Sequence, residues 1–470
     1  MLITDLNMLA ATLEKQRTAF NSAPYSSLDD RRKLLLALKK QIIAKQNEFV
    51  SALSEDFGHR AKDDSLIGDL VTTLGHLNYT LKHLKRWMKP EKRHIALHFQ
   101  PASGVIHYQP KGVVGIMVPW NYPLFLSLGP LITALAAGNR AMLKMSEFTP
   151  NTARLLAEIL ADISSSDEIA VFGGEADVAA AFSALKFDHL FFTGSTTIGR
   201  YVMKAAANNL VPVTLELGGK SPAVIAADCD IKIAAERFIH GKVVNSGQTC
   251  VAPDYLFCPA EQIDNFISET KALFNRLYPT VNDNPDYTSI VNESQYQRVQ
   301  SLLADAEAKG ARIIALTDEY CDPNNRKVPL TLVTGVTDEM AIMQQEIFAP
   351  LLPIMSYQSH DEVISYVQNN PRPLALYLYS FDKALQQRYI NTSHAGGMCI
   401  NDAAFHVACD DLPFGGIGDS GLGNYHGHEG FKTFSHAKSV LTRGKLSLNW
   451  ILFPPYGKTI QNWLYKYLLR

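Results

Sequence analysis

The run Gly112–Asn139, GVVGIMVPWNYPLFLSLGPLITALAAGN, contains no charged residue, and its reading decides the fold. A stretch this apolar is long enough to cross a bilayer as one helix. Pro119, Pro123 and Pro130, together with Asn121, argue against that, because proline removes a backbone donor and breaks helical hydrogen bonding. The run divides instead into a buried strand, Val113 to Val118, a proline-bounded loop, and a buried helix from Leu124 to Ala137 closed by Gly138-Asn139. Downstream the same alternation continues: strand 140–144, helix 150–162, strand 168–172, helix 175–184, strand 188–193, helix 196–208, strand 211–215. Repeated βα units with apolar strands predict an α/β fold with a Rossmann-type parallel sheet covered on both faces. Ligands of such sheets sit at the carboxyl ends of the strands.

Upstream, helical spacing over 3–20, 28–57 and 61–88 predicts three helices. Between His94 and Tyr108 short alternating runs (Ile95, Leu97, Phe99; Val105, Ile106, Tyr108) suit a hairpin or extended arm. A second α/β region follows Cys250, with helices over 261–276 and 293–309 and strands near 312–316, 328–333 and 351–356. The block from Leu412 to Val440 is rich in glycine and histidine and ends in a strand. In the tail, Ile460, Trp463, Leu464, Tyr467 and Leu468 recur at helical spacing opposite Lys458, Lys466 and Arg470. Docking on the body or on a partner subunit is the first reading of that face, and peripheral membrane contact the second.

At 470 residues two or three domains are expected. The net charge of −2, with Lys and Arg spread along the chain, gives no sign of a nucleic-acid surface. Six cysteines show neither paired CxxC nor metal spacing, so no metal centre or disulfide framework is expected and a reducing, cytoplasmic setting is. Asp5 stands where a signal peptide would carry basic residues.

The chemistry concentrates at loops. Asn245-Ser246-Gly247-Gln248-Thr249-Cys250 lies between a helical segment, Asp230 to Val244, and a β-rich run, Tyr255 to Cys258. It is expected to present one thiol in a polar, partly exposed setting that favours the thiolate. In Leu215-Glu216-Leu217-Gly218-Gly219-Lys220-Ser221-Pro222 a carboxylate sits in apolar company, which raises its pKa toward that of a general base. Either segment alone is equally well an ordinary core cysteine or strand glutamate. Three strand ends add polar groups: Pro119-Trp120-Asn121-Tyr122-Pro123, Lys144-Met145-Ser146-Glu147, and Thr193-Gly194-Ser195-Thr196-Thr197-Ile198-Gly199-Arg200, where a helix start favours phosphate. Gln345-Glu346-Ile347-Phe348-Ala349-Pro350 places a carboxylate beside an aromatic ring. Gly416-Ile417-Gly418-Asp419-Ser420-Gly421 matches G-x-G-x-x-G, but without a preceding strand it reads as a tightly turned loop. Gly219-Lys220-Ser221 is not a P-loop, since Thr214 stands where the first glycine must be.

Together these motifs resemble the NAD(P)-dependent aldehyde dehydrogenase superfamily, from about residue 30 to 443, in order and spacing. Pro373 to Tyr377, Tyr425-His426-Gly427 and Thr433-Phe434-Ser435-His436 resemble its class 3 branch. Phe57-Gly58-His59-Arg60 and Trp87-Met88-Lys89-Pro90 resemble the bacterial coniferyl-aldehyde dehydrogenases within that branch. The resemblance implies a cofactor domain over 1–91 and 111–217, a catalytic domain over 218–432, a small β oligomerisation arm over 92–110 and 433–444, and a tail from 445 to 470. It implies Cys250 as nucleophile, Glu216 as general base, and the Asn121 amide with the Cys250 N–H as oxyanion hole. Lys144 and Glu147 would hold the adenosine ribose. Trp120, Gly194, Ser195, Gly199 and Leu217 would line the cofactor, with Glu346 on the nicotinamide ribose and Phe348 beside the nicotinamide. Tyr122, Phe414 and His426 would lie along the aldehyde tunnel.

The activity so implied is oxidation of an aldehyde, aromatic and like coniferyl aldehyde, to its acid through a cysteine thiohemiacetal and thioester. The alternatives are a medium- or long-chain aliphatic substrate, or acyl transfer to coenzyme A. A carboxylate at Glu147 accepts hydrogen bonds from a ribose hydroxyl and repels a 2′-phosphate, so NAD is expected ahead of NADP. The class 3 resemblance implies a homodimer. Met145 stands where the family has proline, which is expected to loosen the turn presenting Lys144 and Glu147.

Overall fold

The computed structural model describes residues 2–96 and 99–469; Leu97 of the arm and Arg470 of the tail, both invoked above, lie outside them. The uncharged run folds as its prolines require. Its first part is the strand Val113–Met117 and its second the helix Pro123–Ala137, buried along its whole length and ended by Gly138 at φ +92°. Among the described residues no helix is long and apolar enough to cross a membrane.

The strand is the centre of a six-stranded sheet, ordered Gly421–Leu422, Val213–Leu217, His189–Gly194, Val113–Met117, Arg140–Lys144, Ile169–Phe172. All neighbours are parallel except the first pair, in which Gly421 lies opposite Glu216. A second sheet of seven strands carries Pro222–Ile225 and Tyr255–Pro259 near its middle, and is parallel except for its edge strand Arg312–Ala315. The third sheet is antiparallel: Glu91–Arg93, Ser103–Pro110 and Ser435–Thr442.

Two of the predicted helices are interrupted. The helical span 28–57 breaks at Lys45 into Leu28–Ala44 and Gln46–Phe57. The span 61–88 opens with one turn, Lys62–Ser65, passes through a π-helical turn, Leu66–Val71, and becomes α-helical from Thr72 to Trp87. The π turn has a structural reason. It carries Asp69, fully buried, to the start of Pro123–Ala137, where its Oδ1 accepts from the N–H groups of Leu124 (3.1 Å) and Phe125 (2.9 Å). Those are donors a helix start leaves unpaired.

Candidate active site

A cleft of about 250 Å³ lies where the carboxyl ends of the first sheet meet the second, and Cys250, Glu216 and Asn121 all line it. Each comes from a different segment and each is held differently.

Cys250 follows the helix Ile231–Val243 and a 3-10 turn, Val244–Gly247. Asn245 (φ +53°) and Ser246 (φ +53°) are both left-handed, a conformation that costs side-chain-bearing residues roughly 1–3 kcal/mol each and persists only where surroundings impose it. Here they do. The Asn245 N–H donates to Asp64, Ser246 Oγ donates to the Thr288 carbonyl, and a Cβ on Gly247 would lie 2.6 Å from the Ala349 carbonyl oxygen. Gln248, fully buried, donates to the carbonyls of Asn245 (2.9 Å) and Ser289 (3.1 Å) and accepts from the Val291 N–H (2.9 Å).

The loop leaves Cys250 partly exposed, as expected, but its surroundings do not favour the thiolate. Burial, then the Glu346 and Glu216 carboxyls, push the Cys250 thiol up to about 12, against the opposing pull of the Cys250 and Val251 N–H groups. Burial and both carboxyls favour the neutral thiol over the thiolate in the free protein.

Asn121 is clamped from both sides. Its Nδ2 donates to the Gln248 carbonyl (3.1 Å), and its own carbonyl accepts from Asn245 Nδ2 (3.1 Å) and Arg60 Nη1 (3.1 Å). Arg60 is in turn paired at 2.9 Å with Asp69, both side chains fully buried, and its guanidinium stands 4.9 Å from the ring centroids of both Phe57 and Tyr122. Tyr122 itself is hydrogen-bonded through its hydroxyl to Thr249 Oγ1 (2.9 Å). Arg60 and Asp69 therefore brace the Asn121 segment, which in turn bonds the cysteine loop through Asn121 and Tyr122, a support that sequence reasoning missed. In the sequence Arg60 is a charged residue closing Phe57-Gly58-His59-Arg60, and nothing local marks it as buried.

Glu216, on the strand Val213–Leu217, is 3% exposed, and neither carboxyl oxygen has a partner. Burial raises its pKa well above the ordinary value. The decoy glycine loop backs this strand: a Cβ at Gly421 would sit 2.3 Å from the Leu215 carbonyl oxygen, and Gly416 is equally crowded by Ser420. Its role is close backbone approach behind the carboxylate.

Gly194, Ser195, Leu217, Trp120, Glu346 and Phe348 line the other half of the cleft. Ser195 caps the helix Thr196–Ala207, accepting from the Ile198 N–H, and a Cβ on Gly199 would meet Leu217 at 2.6 Å, so that glycine sets how closely helix and strand approach. Trp120 packs edge-on against Phe348, with centroids 5.3 Å apart. The Glu346 carboxyl lies over Gly218, within 2.2 Å of where a Cβ would be, and burial together with Asp254 pushes it up to about 8. Arg298, donating to the carbonyls of Glu346 (3.3 Å) and Ile347 (2.7 Å), and the Lys220–Asp254 pair fix this segment; Arg298 and Gln295 also line the cleft and had no sequence signal. Lys144 and Glu147 sit outside the cleft lining, at the end of Arg140–Lys144, with Nζ 3.9 Å from Oε2. Met145 does not loosen their turn. It is fully buried, and its N–H donates to the Phe172 carbonyl (2.9 Å), a bond proline would lack.

A dinucleotide fits this half. The glycines admit close backbone approach, the helix start at Ser195 offers free N–H groups for phosphate, and Thr193 Oγ1 is a buried hydroxyl without a partner.

On the substrate side Phe414 and Tyr425 line the cleft. Tyr122 lies beneath Arg60, and His426 stacks on Phe414 (5.3 Å) one layer behind the lining, with both ring nitrogens buried and unpartnered. His76, unremarked in the sequence, packs against His426 (5.6 Å) and bonds Asp410 and Thr133. Among the described residues no group of His, Cys, Asp and Glu is placed to hold a metal ion.

The aldehyde dehydrogenase family model matches residues 6–440. A probable coniferyl aldehyde dehydrogenase of Pseudomonas aeruginosa is 49% identical over 99% of this chain and 97% of its own. The coniferyl aldehyde dehydrogenase of a Pseudomonas species is 41% identical over 97% and 95%. Among solved structures, the substrate-bound AldH of Staphylococcus aureus superposes with a TM-score of 0.92 at 37% identity, covering 97% of this chain and 99% of that one. A Mycobacterium tuberculosis aldehyde dehydrogenase complexed with NAD+ gives 0.85 at 27% identity, covering 95% and 92%. A match of this extent, on a cleft with this composition, means that the chain belongs to the aldehyde dehydrogenase family and is an NAD(P)-dependent oxidoreductase that converts aldehydes to acids.

Proposed function

We propose that Cys250 is the nucleophile, Glu216 the general base and Asn121 an oxyanion donor, and that the substrate is an aromatic aldehyde of the coniferyl type. The observation that carries the assignment is the convergence of these three groups, from three separate segments, on one cleft in which the Glu216 carboxyl is buried without a partner. Cys250 Sγ, partly exposed, gives its proton to solvent and forms a bond to the carbonyl carbon, and the carbonyl π electrons move to oxygen. The resulting alkoxide accepts hydrogen bonds from the Asn121 amide and the Cys250 N–H, each worth roughly 3–4 kcal/mol in a preorganised site. When bound, NAD supplies the hydride acceptor that converts this adduct to a thioester. Glu216 takes a proton from a water whose oxygen attacks the thioester carbon, and the Cys250 sulfur departs with the bonding pair.

Gly194, Ser195 and Leu217 would lie along the cofactor, Glu346 would hold its ribose, and Trp120 and Phe348 would pack beside its ring. Lys144 and Glu147 would take the adenosine ribose, with Gly199 setting the approach of helix to strand. Phe414 and Tyr425 offer aromatic walls, with Tyr122 outside the lining beneath Arg60, and two Pseudomonas relatives bear the name of coniferyl aldehyde. The edge strand Ser435–Thr442, with Leu441 exposed, supports a homodimer paired through the third sheet. Six free cysteines support a cytoplasmic setting.

The test is a panel of cinnamaldehydes, benzaldehydes and long-chain alkanals, scored by kcat/KM with NAD and with NADP, on the native chain and on Cys250→Ala. The reading expects the highest kcat/KM for hydroxylated cinnamaldehydes with NAD, and none in the variant. Preference for alkanals overturns the substrate, and turnover by Cys250→Ala overturns the nucleophile.

A further inference from the structure

No residue of the tail, 443–469, belongs to the hydrophobic clusters that form the body's core. Its helix Thr459–Leu468 rests chiefly on the short 3-10 helix Asn449–Leu452. The pair is closed by its own hydrogen bonds: Lys458 Nζ donates to the carbonyls of Trp450 (3.0 Å) and Phe453 (3.0 Å), and the fully buried Gln461 donates to that of Ile451. What this small unit turns outward is apolar and aromatic: Trp450 (54% exposed), Phe453 (57%), Tyr456 (70%), Trp463 (66%) and Tyr467 (61%). Trp463 and Tyr467 stack one helical turn apart, and Ile460 continues their stripe. Large side chains of this kind left in water on a self-contained unit mark a surface that is covered in use.

Charge identifies the cover. From Arg443 on the sequence carries five Lys and Arg and no Asp or Glu, on a chain of net charge −2, so the remainder holds −7. Trp and Tyr with a wet edge, beside basic residues, are the chemistry of the boundary between headgroups and acyl chains. A helix of ten residues is too short to cross a bilayer but long enough to lie in that plane.

We infer that the tail is an interfacial anchor that seats the enzyme on a membrane surface bearing anionic headgroups. Basic residues draw it to the leaflet and the aromatic stripe enters, while the acidic body faces away. This does not depend on which aldehyde is oxidised.

The experiment is co-sedimentation of the intact chain with vesicles of phosphatidylcholine alone, and with roughly a third of the lipid replaced by phosphatidylglycerol, at about 0.1 and about 0.5 M salt. Two variants accompany it: the chain ended after Gly444, and Lys445→Glu/Lys466→Glu. Partition of the intact chain is expected to be at least about 10-fold stronger on anionic than on neutral vesicles and to weaken with salt. Both variants should lose it while retaining aldehyde turnover in solution. Failure of the intact chain to pellet with anionic vesicles overturns the inference, as does equal pelleting of the shortened chain. Conversion of a dimer to a monomer on shortening, without vesicle binding by the intact chain, overturns it in favour of a second copy as the cover.

Discussion

Replacing Arg60 with methionine should separate the two jobs of the buried Arg60–Asp69 pair. Both side chains are fully buried, so removing the guanidinium leaves a carboxylate facing only the neutral N–H donors of Leu124 and Phe125. Breaking one side of such a pair costs roughly 3–5 kcal/mol. The double replacement Arg60→Met/Asp69→Leu removes both charges. It forfeits only the two cap bonds and the bond to the Asn121 carbonyl, about 1 kcal/mol each, for a total near 3 rather than the 6–10 that two independent losses would give. Catalysis should not follow stability. In both variants Asn121 has lost one of the two donors to its carbonyl, Asn245 Nδ2 remaining, and a displacement of about 1 Å at an oxyanion donor costs on the order of 10²-fold. Urea unfolding followed by tryptophan fluorescence, and kcat at saturating aldehyde and NAD, measure the two quantities separately. A double variant as unstable as the sum of the singles, or one that regains native kcat along with its stability, would refute the reasoning.

Two further outcomes follow from buried titratable groups. Glu216→Gln should leave a burst of NADH and a steady state slowed about 10²–10⁴-fold. Because burial raises the native carboxyl's pKa, its basic form appears only as pH rises above the ordinary carboxylate range, so native kcat should climb with pH and the variant's should not; loss of the burst instead would remove Glu216 from deacylation. His189, held between Lys111 and Thr214, is pushed by burial down to about 3. The unfolded chain therefore binds more protons between pH 6.5 and about 3, so the contribution from this residue is complete above pH 6.5 and drains away as pH falls toward 3. His189→Gln should flatten acid unfolding in that window, measured by circular dichroism, and an unchanged curve would contradict it.

Local pattern carried much of this architecture. The strand-and-helix alternation from Val113 to Leu217 could be read because each buried strand is short, apolar and bounded by glycine, proline or a charge. The glycines and prolines around Asn121, Gly194, Glu216 and Cys250 placed those residues at or beside strand ends, where the cleft lies. What local pattern could not carry depends on distant partners. The break at Lys45 and the π turn at Leu66–Val71 leave apolar spacing nearly intact, and the second is explained only by the helix start that Asp69 reaches. The strands Pro222–Ile225, Ala375–Tyr379 and Gly397–Ile400 escaped notice, being too brief for periodicity to mark. The Cys250 thiol was misjudged for the same reason. Its polar sequence neighbours turn inward to hold the loop, and the acidic groups that face it come from positions 216 and 346.

The short strand Gly421–Leu422 completes the first sheet beside the strand that carries Glu216. During synthesis that edge leaves the ribosome bare, and some two hundred residues must be added before its cover exists, about 10–40 s at ordinary elongation rates. For that interval the nascent half-protein displays an unpaired β-edge, a template for pairing with other chains. The strand that covers the buried Glu216 carboxyl in the finished protein is thus missing from the growing polypeptide, and fragments ending before residue 421 should be prone to aggregate.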